Sequence, residues 1–398
     1  MTRYSTMNRR KPCGRTFGLL AALAACAPAL AVEYQVHGYA AQGYVYSTDN
    51  NYFGKSSDGS DNYYEAGLNA SVQARPNLIF SAQAAIRDAG ISDDGSLRLD
   101  YAVADYRFLE GVNGTAGVRA GKVKNPLGFF NETRDVVFSR PGILSPAIYN
   151  DNQNQRTLVF TAPGAQLYAS RVWGGHELSF TGTASVDHHV RRTDQRLLVT
   201  LSVPFDLHIT DSWNAQIMDS FDGGKWQFAV SHFFGRFALS TQVGVAGKLD
   251  VGISVVSARY NAEKFTITAE YGVYPNKNVV TFNGAPLLRQ EITADGGYLQ
   301  GEYRFDSSWS VMARVDATYR DRNDRSGREF AAANPGTDRK SRIARDLVAG
   351  VNWRYGEHWG LWGEYHWIDG TQLLQALENP GSDKNRWSLI MLMAGYKF

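Results

Sequence analysis

From Tyr34 to Phe398 the chain alternates apolar with polar residues in segments of about ten. Tyr64, Ala66, Leu68, Ala70 and Val72 are interleaved with Glu65, Gly67, Asn69, Ser71 and Gln73. Phe265, Ile267, Ala269 and Tyr271 are interleaved with Thr266, Thr268 and Glu270. Trp359, Leu361, Gly363, Tyr365 and Trp367 are interleaved with Gly360, Trp362, Glu364 and His366. A period of two marks a strand whose two faces meet different surroundings. A chain made almost wholly of such segments folds as an all-β protein.

The connections alternate in length. Tight ones hold turn residues: Arg75-Pro76-Asn77, Gly174-Gly175, Asp222-Gly223-Gly224, Asn261-Ala262-Glu263, Asp306-Ser307-Ser308 and Gly356-Glu357. Long polar ones are expected near 48–62, 90–96, 124–156, 188–210, 235–250, 275–295, 321–343 and 370–386. Short turns at one rim and long loops at the other are the rhythm of a transmembrane antiparallel β-barrel. Eight long loops and seven short turns imply about sixteen strands, with the chain entering and leaving at the rim of short turns. The stretch 157–173 reads as one interrupted strand or two, and 196–205 as strand or loop. Sixteen strands enclose a lumen too wide for side chains to fill. The inward Glu, Arg, Asp, Thr and Gln cannot form a dry core, so that face must line water. A soluble sandwich would show the same alternation without the length rhythm.

Composition agrees. Mean hydropathy is −0.33, and beyond the N-terminus no stretch approaches the roughly 18 apolar residues of a spanning helix. Yet the chain holds 21 Tyr, 20 Phe and 9 Trp. Many aromatics with little total hydrophobicity fit a barrel, where one face of each strand meets lipid and aromatics gather at both interfaces.

Residues 1–31 read as a cleaved signal peptide, and 32–398 as a single barrel domain. Arg3, Arg9, Arg10, Lys11 and Arg15 form a basic region, Phe17 to Ala27 is apolar, and Ala29-Leu30-Ala31 is an A-x-A site. The segment carries five basic and no acidic residues, so its removal moves the formal charge from +2 to −3. A nucleic-acid partner is thereby excluded. Both cysteines, Cys13 and Cys26, lie inside it, so the mature chain has no thiol chemistry. Leu23-Ala24-Ala25-Cys26 also fits a lipoprotein processing site, the alternative to cleavage after Ala31.

At the other end Ile390, Leu392, Ala394, Tyr396 and Phe398 share one face. A final strand ending in an aromatic residue resembles the signal read by the barrel-assembly machinery, with Tyr396 and Phe398 carrying it.

The third long loop, 124–156, is the longest. It runs Lys124-Asn125-Pro126-Leu127-Gly128-Phe129-Phe130-Asn131-Glu132-Thr133-Arg134-Asp135 and on through Val136-Val137-Phe138-Ser139-Arg140-Pro141-Gly142. The strand before it contains Arg119-Ala120-Gly121-Lys122. An R-x-G-K segment leading into an Asn-Pro-x-Gly turn resembles the sixteen-stranded Gram-negative porins, most nearly the phosphate-selective kind. The resemblance covers the mature chain in architecture and about 115–152 in local motif. It implies a third loop folded into the lumen as a constriction, an outer-membrane location and a homotrimer.

Independently, this loop is too apolar for a surface loop. Leu127, Phe129, Phe130, Val137, Phe138, Ile143, Leu144 and Tyr149 need a surface to pack on, and the barrel wall offers one. Glu132, Arg134, Asp135, Arg140 and Asp151 would then project into the water path, with Lys122, Lys124, Arg87 and Arg119 opposite. Opposed charges are how pores select ions. The plain alternative is an external loop packed on its neighbours.

Outward residues of the first five strands are small: Ala66, Ala70, Ala74, Ala82, Ala84, Ala116 and Ala120. Small residues permit close approach, so this face is the expected subunit contact. The segment Arg320–Asp346 carries eight basic and five acidic groups. It reads either as an anion funnel or lipopolysaccharide contact, or as a self-paired loop. Asp49, Asn50, Asp58, Asp61 and Asp93-Asp94-Gly95 read as turn chemistry rather than calcium ligands. His188-His189 has no companion in the sequence for a metal site, so neither metal nor cofactor is expected. No nucleophile elbow occurs, and strand pattern starts too soon after residue 31 for a plug domain. The expected function is passive diffusion of small hydrophilic solutes or ions. The alternatives are a substrate-selective channel, or a barrel with enzymatic or adhesive loops.

Overall fold

The structure, a computed structural model, describes residues 33–149, 159–190, 204–381 and 384–398. The signal segment 1–31, Asp151 and most of 196–205 lie outside the described residues.

Sixteen strands form one antiparallel sheet. They are β1 Glu33–Ser47, β2 Tyr64–Arg75, β3 Leu78–Asp88, β4 Arg98–Gly111, β5 Gly114–Lys124, β6 Thr161–Trp173, β7 His176–Ser185 and β8 Phe205–Phe221. Then follow β9 Trp226–Thr241, β10 Val245–Asn261, β11 Phe265–Phe282, β12 Ala285–Arg304, β13 Trp309–Tyr319, β14 Ile343–Tyr355, β15 Trp359–Asp369 and β16 Arg386–Lys397. A two-residue segment, His188–His189, pairs with the start of β8. Each strand pairs with its sequence neighbours, and β1 pairs with both β2 and β16, so the sheet closes on itself. The closure includes the last residue. Gly38 N–H donates to the Phe398 carbonyl at 3.1 Å, and Phe398 N–H donates back at 3.0 Å. A closed single sheet excludes the sandwich, and it removes the free edges an open sheet would leave.

Burial is inverted relative to a soluble protein. Trp213, Ile217, Val230, Val256, Leu299, Val315, Leu347, Trp367 and Leu392 are exposed on the outer face. Glu65, Arg87, Glu270, Arg314 and Glu364 are buried on the inner one. A contiguous apolar exterior is stable only in lipid. Aromatic pairs mark the rim of short turns: Trp226 and Tyr260 lie 4.4 Å apart, Trp309 and Trp353 5.7 Å, and Trp359 and Tyr396 4.9 Å between ring centroids. Such a girdle belongs at a membrane interface. Among the described residues no helix is long and apolar enough to cross a membrane; the crossing is made by strands.

The six short turns named above stand between strands, a seventh at Val112-Asn113 joins β4 to β5, and 161–173 is one strand. Two expected long loops, 235–250 and 275–295, are instead tight hairpins. The strands β9 and β10 stay paired to Ser240↔Ala246, and β11 and β12 to Phe282↔Ala285. The second hairpin turns on Asn283-Gly284, with φ of +47° and +82°. Asn-Gly is the preferred pair for a two-residue hairpin turn, because both positions need positive φ. Polar residues such as Lys277, Asn278 and Gln290 suggested a loop, but polar strands continue past the membrane into water.

Candidate functional site

The described residues of the connection 125–160 between β5 and β6 pack on and hydrogen-bond to the inner wall. Its two ends are tied together. Asn125 N–H donates to the Phe160 carbonyl at 2.8 Å, and Asn125 Nδ2 to the Val159 carbonyl at 2.6 Å. Asn131 Nδ2 folds back to the Asn125 carbonyl. Between the ends lie two short 3-10 turns, Val137–Ser139 and Ala147–Tyr149.

The apolar residues of this connection are buried against two separate parts of the ring. Val137, Ile143 and Leu144 pack with Val45 of β1, Trp362 of β15 and Leu389 and Met391 of β16. Leu127, Phe130, Ile148 and Tyr149 pack with Phe233 of β9, Ile253 and Val255 of β10 and Tyr298 of β12. The wall is apolar on its inner face at these points, which a strict polar-inside pattern does not anticipate.

Wall carboxylates receive the backbone of the connection. Glu270 on β11 accepts from Phe129 N–H at 2.8 Å, Tyr149 O–H at 2.6 Å, Tyr298 O–H at 2.6 Å and Ser257 O–H at 2.5 Å. Burial, and then the Glu270 charge, hold the Tyr149 hydroxyl well above its ordinary range, so it remains a donor. Glu364 on β15 accepts from Ile143 N–H at 2.7 Å and Leu144 N–H at 3.1 Å. Asp316 on β13 accepts from Ala147 N–H at 3.0 Å. Arg314 donates to the Leu144 carbonyl at 3.2 Å and pairs with Asp316 at 2.6 Å. On the far side of the sheet seam, Arg140 pairs with Glu65 of β2 at 2.6 Å. A buried carboxylate is tolerable only when donors satisfy it, and here the loop backbone supplies many of them.

Another part of the inner wall keeps solvent contact. Arg119 Nε lies 3.1 Å from Asp105, and its guanidinium covers the Tyr168 ring at 4.4 Å; a third of the Arg119 side chain is exposed. Arg259 lies over Phe129 and Phe130 at 4.5 and 5.1 Å.

No family model and no curated protein matches the chain. Solved structures do match it over nearly its full length. An anion-selective porin from Comamonas acidovorans is similar at 13% identity and TM-score 0.57, over 92% of this chain and 100% of that one. OmpF of Salmonella typhi, in complex with daunomycin, is similar at 14% identity and TM-score 0.57, over 92% and 97%. The outer membrane channel DcaP of Acinetobacter baumannii is similar at 12% identity and TM-score 0.55, over 92% and 97%. The chain has the porin fold.

Within this porin-fold barrel most of the residues singled out in the sequence have close partners, some charged and some backbone carbonyls. Lys124 sits between Asp135 at 2.9 Å and Asp100 at 3.1 Å. Arg134 is buried over the Phe160 ring at 4.2 Å and donates to the Tyr149 carbonyl at 3.3 Å. Arg140 also donates to the Arg134 carbonyl at 2.8 Å. Arg87 lies 3.4 Å from Asp93 and over the Phe53 and Tyr63 rings. Lys122 is directed elsewhere, to the Leu99 carbonyl at 2.6 Å. Glu132 keeps an exposed side chain. Sequence reasoning missed the wall partners Glu65, Glu270, Arg314, Asp316 and Glu364. Their signal was available: each is a charged residue on the inner face of a strand.

The charged segment 320–342 of the porin-fold barrel is held partly by its own backbone amides and partly by groups on neighbouring elements. Asp324 accepts from Arg328 N–H at 3.0 Å and Phe330 N–H at 2.9 Å at the start of a short helix, Arg328–Ala333. Asp338 accepts from Lys340 N–H at 2.8 Å and Asn385 Nδ2 at 2.7 Å. Those donors hold both carboxyls below the ordinary aspartate range. Arg325 pairs with Asp295, and Lys340 with Asp369. Asp94 is likewise a turn group, accepting from Ser96 N–H at 3.2 Å. His189, expected to lack metal-ligating companions, has two: Asp206 and His208.

Proposed function

We propose that this chain is an outer-membrane porin, and that its 125–160 connection folds across the lumen to leave a constricted, water-filled path for small hydrophilic solutes or ions. One observation carries the proposal. The connection is held by Glu270 on β11, by Glu65 on β2, seven strands around the closed ring from it, and by Glu364 on β15, four strands from it. A segment bonded to the inner faces of distant strands narrows whatever they enclose. Asp105, Arg119, Tyr168 and Arg259 line the part of the wall that keeps solvent contact, and there the path runs. Arg119 and the exposed Glu132 border it, while Lys124, Arg134, Asp135 and Arg140 act by fixing the constriction, and Arg87 and Lys122 brace the wall beside it. Charge pairs along a path let ions pass without trapping them.

The test is swelling of proteoliposomes in sugars of increasing size. Uptake of small sugars with a sharp size limit supports the proposal. No uptake by folded protein favours the barrel with enzymatic or adhesive loops. Block of ion current by one solute class would instead favour a substrate-selective channel.

Further parts of the proposal follow from the surfaces. The chain is exported by cleavage after Ala31, and Tyr396 and Phe398 carry the assembly signal. Exposed Ala70 and Ala120, with Ala66, Ala82 and Ala84, make the first strands the contact of a homotrimer. Exposed Arg322, Arg328 and Arg339 meet lipopolysaccharide phosphates. A monomer on mild unheated gels would count against the trimer.

A further inference from the structure

We propose that His189, Asp206 and His208 form a binding site for a divalent transition cation of the zinc class at the loop rim of the barrel. The site is a product of strand register. The segment His188–His189 pairs antiparallel with the start of β8, and His189 stands directly opposite His208. Directly opposed side chains start about 5 Å apart at Cβ. Asp206 lies two residues before His208, so it shares its face. Leu207 and Ile209 occupy the other face, buried with Val190 and Phe237. The apolar cluster therefore fixes the strand pair that presents the three polar groups outward.

The side-chain geometry is that of a partial coordination shell. Asp206 Oδ1 lies 3.1 Å from His189 Nδ1, and Asp206 Oδ2 lies 2.7 Å from His208 Nε2. All three ligand atoms fall within 4.8 Å of one another. A tetrahedral zinc with bonds of about 2.0–2.1 Å needs its ligands roughly 3.3 Å apart. Small rotations of exposed side chains satisfy that. The two imidazole centroids lie 4.1 Å apart, both turning a ring nitrogen to one carboxylate.

A second observation points the same way. The other ring nitrogen of His208, Nδ1, lies 3.6 Å from Asp187 Oδ1. A histidine that binds metal through one nitrogen usually gives its other N–H to a carboxylate, which fixes tautomer and ring plane. Asp187 is placed for that task. Two imidazoles and one carboxylate leave positions open for water, and imidazole with carboxylate suits zinc over calcium or magnesium. A bound ion would staple the short segment His188–His189 to the start of β8.

The experiment is calorimetric titration of Zn²⁺ into untagged, detergent-folded protein, with folding checked by heat-modifiable migration. One saturable site is expected. His189→Gln and His208→Gln should each abolish it, and Asp187→Asn should weaken it about 10- to 100-fold. His188→Gln is the control, because His188 points to the Val186 carbonyl instead, and it should leave binding unchanged. Absence of saturable binding, or equal binding in the His189→Gln/His208→Gln double variant, would overturn the proposal.

Discussion

Arg140 Nη2 lies 2.6 Å from Glu65 Oε1, and both side chains are almost wholly buried. This pair joins the 125–160 connection to β2. Removing one partner leaves an uncompensated buried charge, which costs on the order of 3–5 kcal/mol, whereas replacing both with apolar groups costs far less. Glu65→Ala or Arg140→Ala should therefore release this end of the connection, and Glu65→Met with Arg140→Met should restore much of the docking. Limited proteolysis of 125–149 in folded protein checks this. Equal resistance in the single variants would contradict it.

Gly142 stands against Glu364. A Cβ at position 142 would collide with Glu364 Oε1, the acceptor for Ile143 N–H. Gly142→Ala should push Glu364 aside and orphan the Ile143 and Leu144 amides, at about 1–3 kcal/mol for each unsatisfied group. Hydrogen exchange at those two amides should quicken roughly tenfold or more.

Sequence periodicity revealed most of the barrel. Alternation fixes which residues share a face, and a one-residue slip would exchange the faces, so the buried Glu65, Glu364 and His366 confirm the register. The tight hairpins were hidden for a physical reason. Strands outside the membrane no longer need an apolar face, so Asn276-Lys277-Asn278 carries no lipid signal although it pairs with Glu291 and its neighbours. The wall partners of 125–160 were hidden for another. Inner-face charges are legible one strand at a time, but which of them meet a single loop depends on closure. The same holds for His189 and His208, distant in the chain and joined by register.

The Asn283-Gly284 turn gives a test of the corrected hairpin. Gly284 holds φ of +82°. Gly284→Ala forces a side chain into that region at about 1–2 kcal/mol, while Asn283→Gly should be tolerated. Exchange at Phe282 and Ala285 should rise in the first variant only. Equal exchange in both would contradict a two-residue turn.

The 320–342 segment should respond to acid. Asp324 and Asp338 have folded-state pKa values below the ordinary aspartate value of about 4. Their contribution is therefore complete above that value and fades as pH falls through the lowered ones. Brief acid treatment should open this segment to exchange while the barrel stays intact. Asp324→Asn with Asp338→Asn should remove most of that pH dependence; an unchanged acid response in the double variant would contradict it.

The most direct measurement is single-channel current through the refolded protein in a planar bilayer under a salt gradient, compared with Glu65→Ala and Arg140→Ala. Stepwise conductance from the native chain, with larger steps once the 125–160 connection is released, is the expected result. The reversal potential then gives the sign of the favoured ion. No steps from heat-modifiable, folded protein, or steps of the same size in all three proteins, would contradict a barrel narrowed by its third long loop.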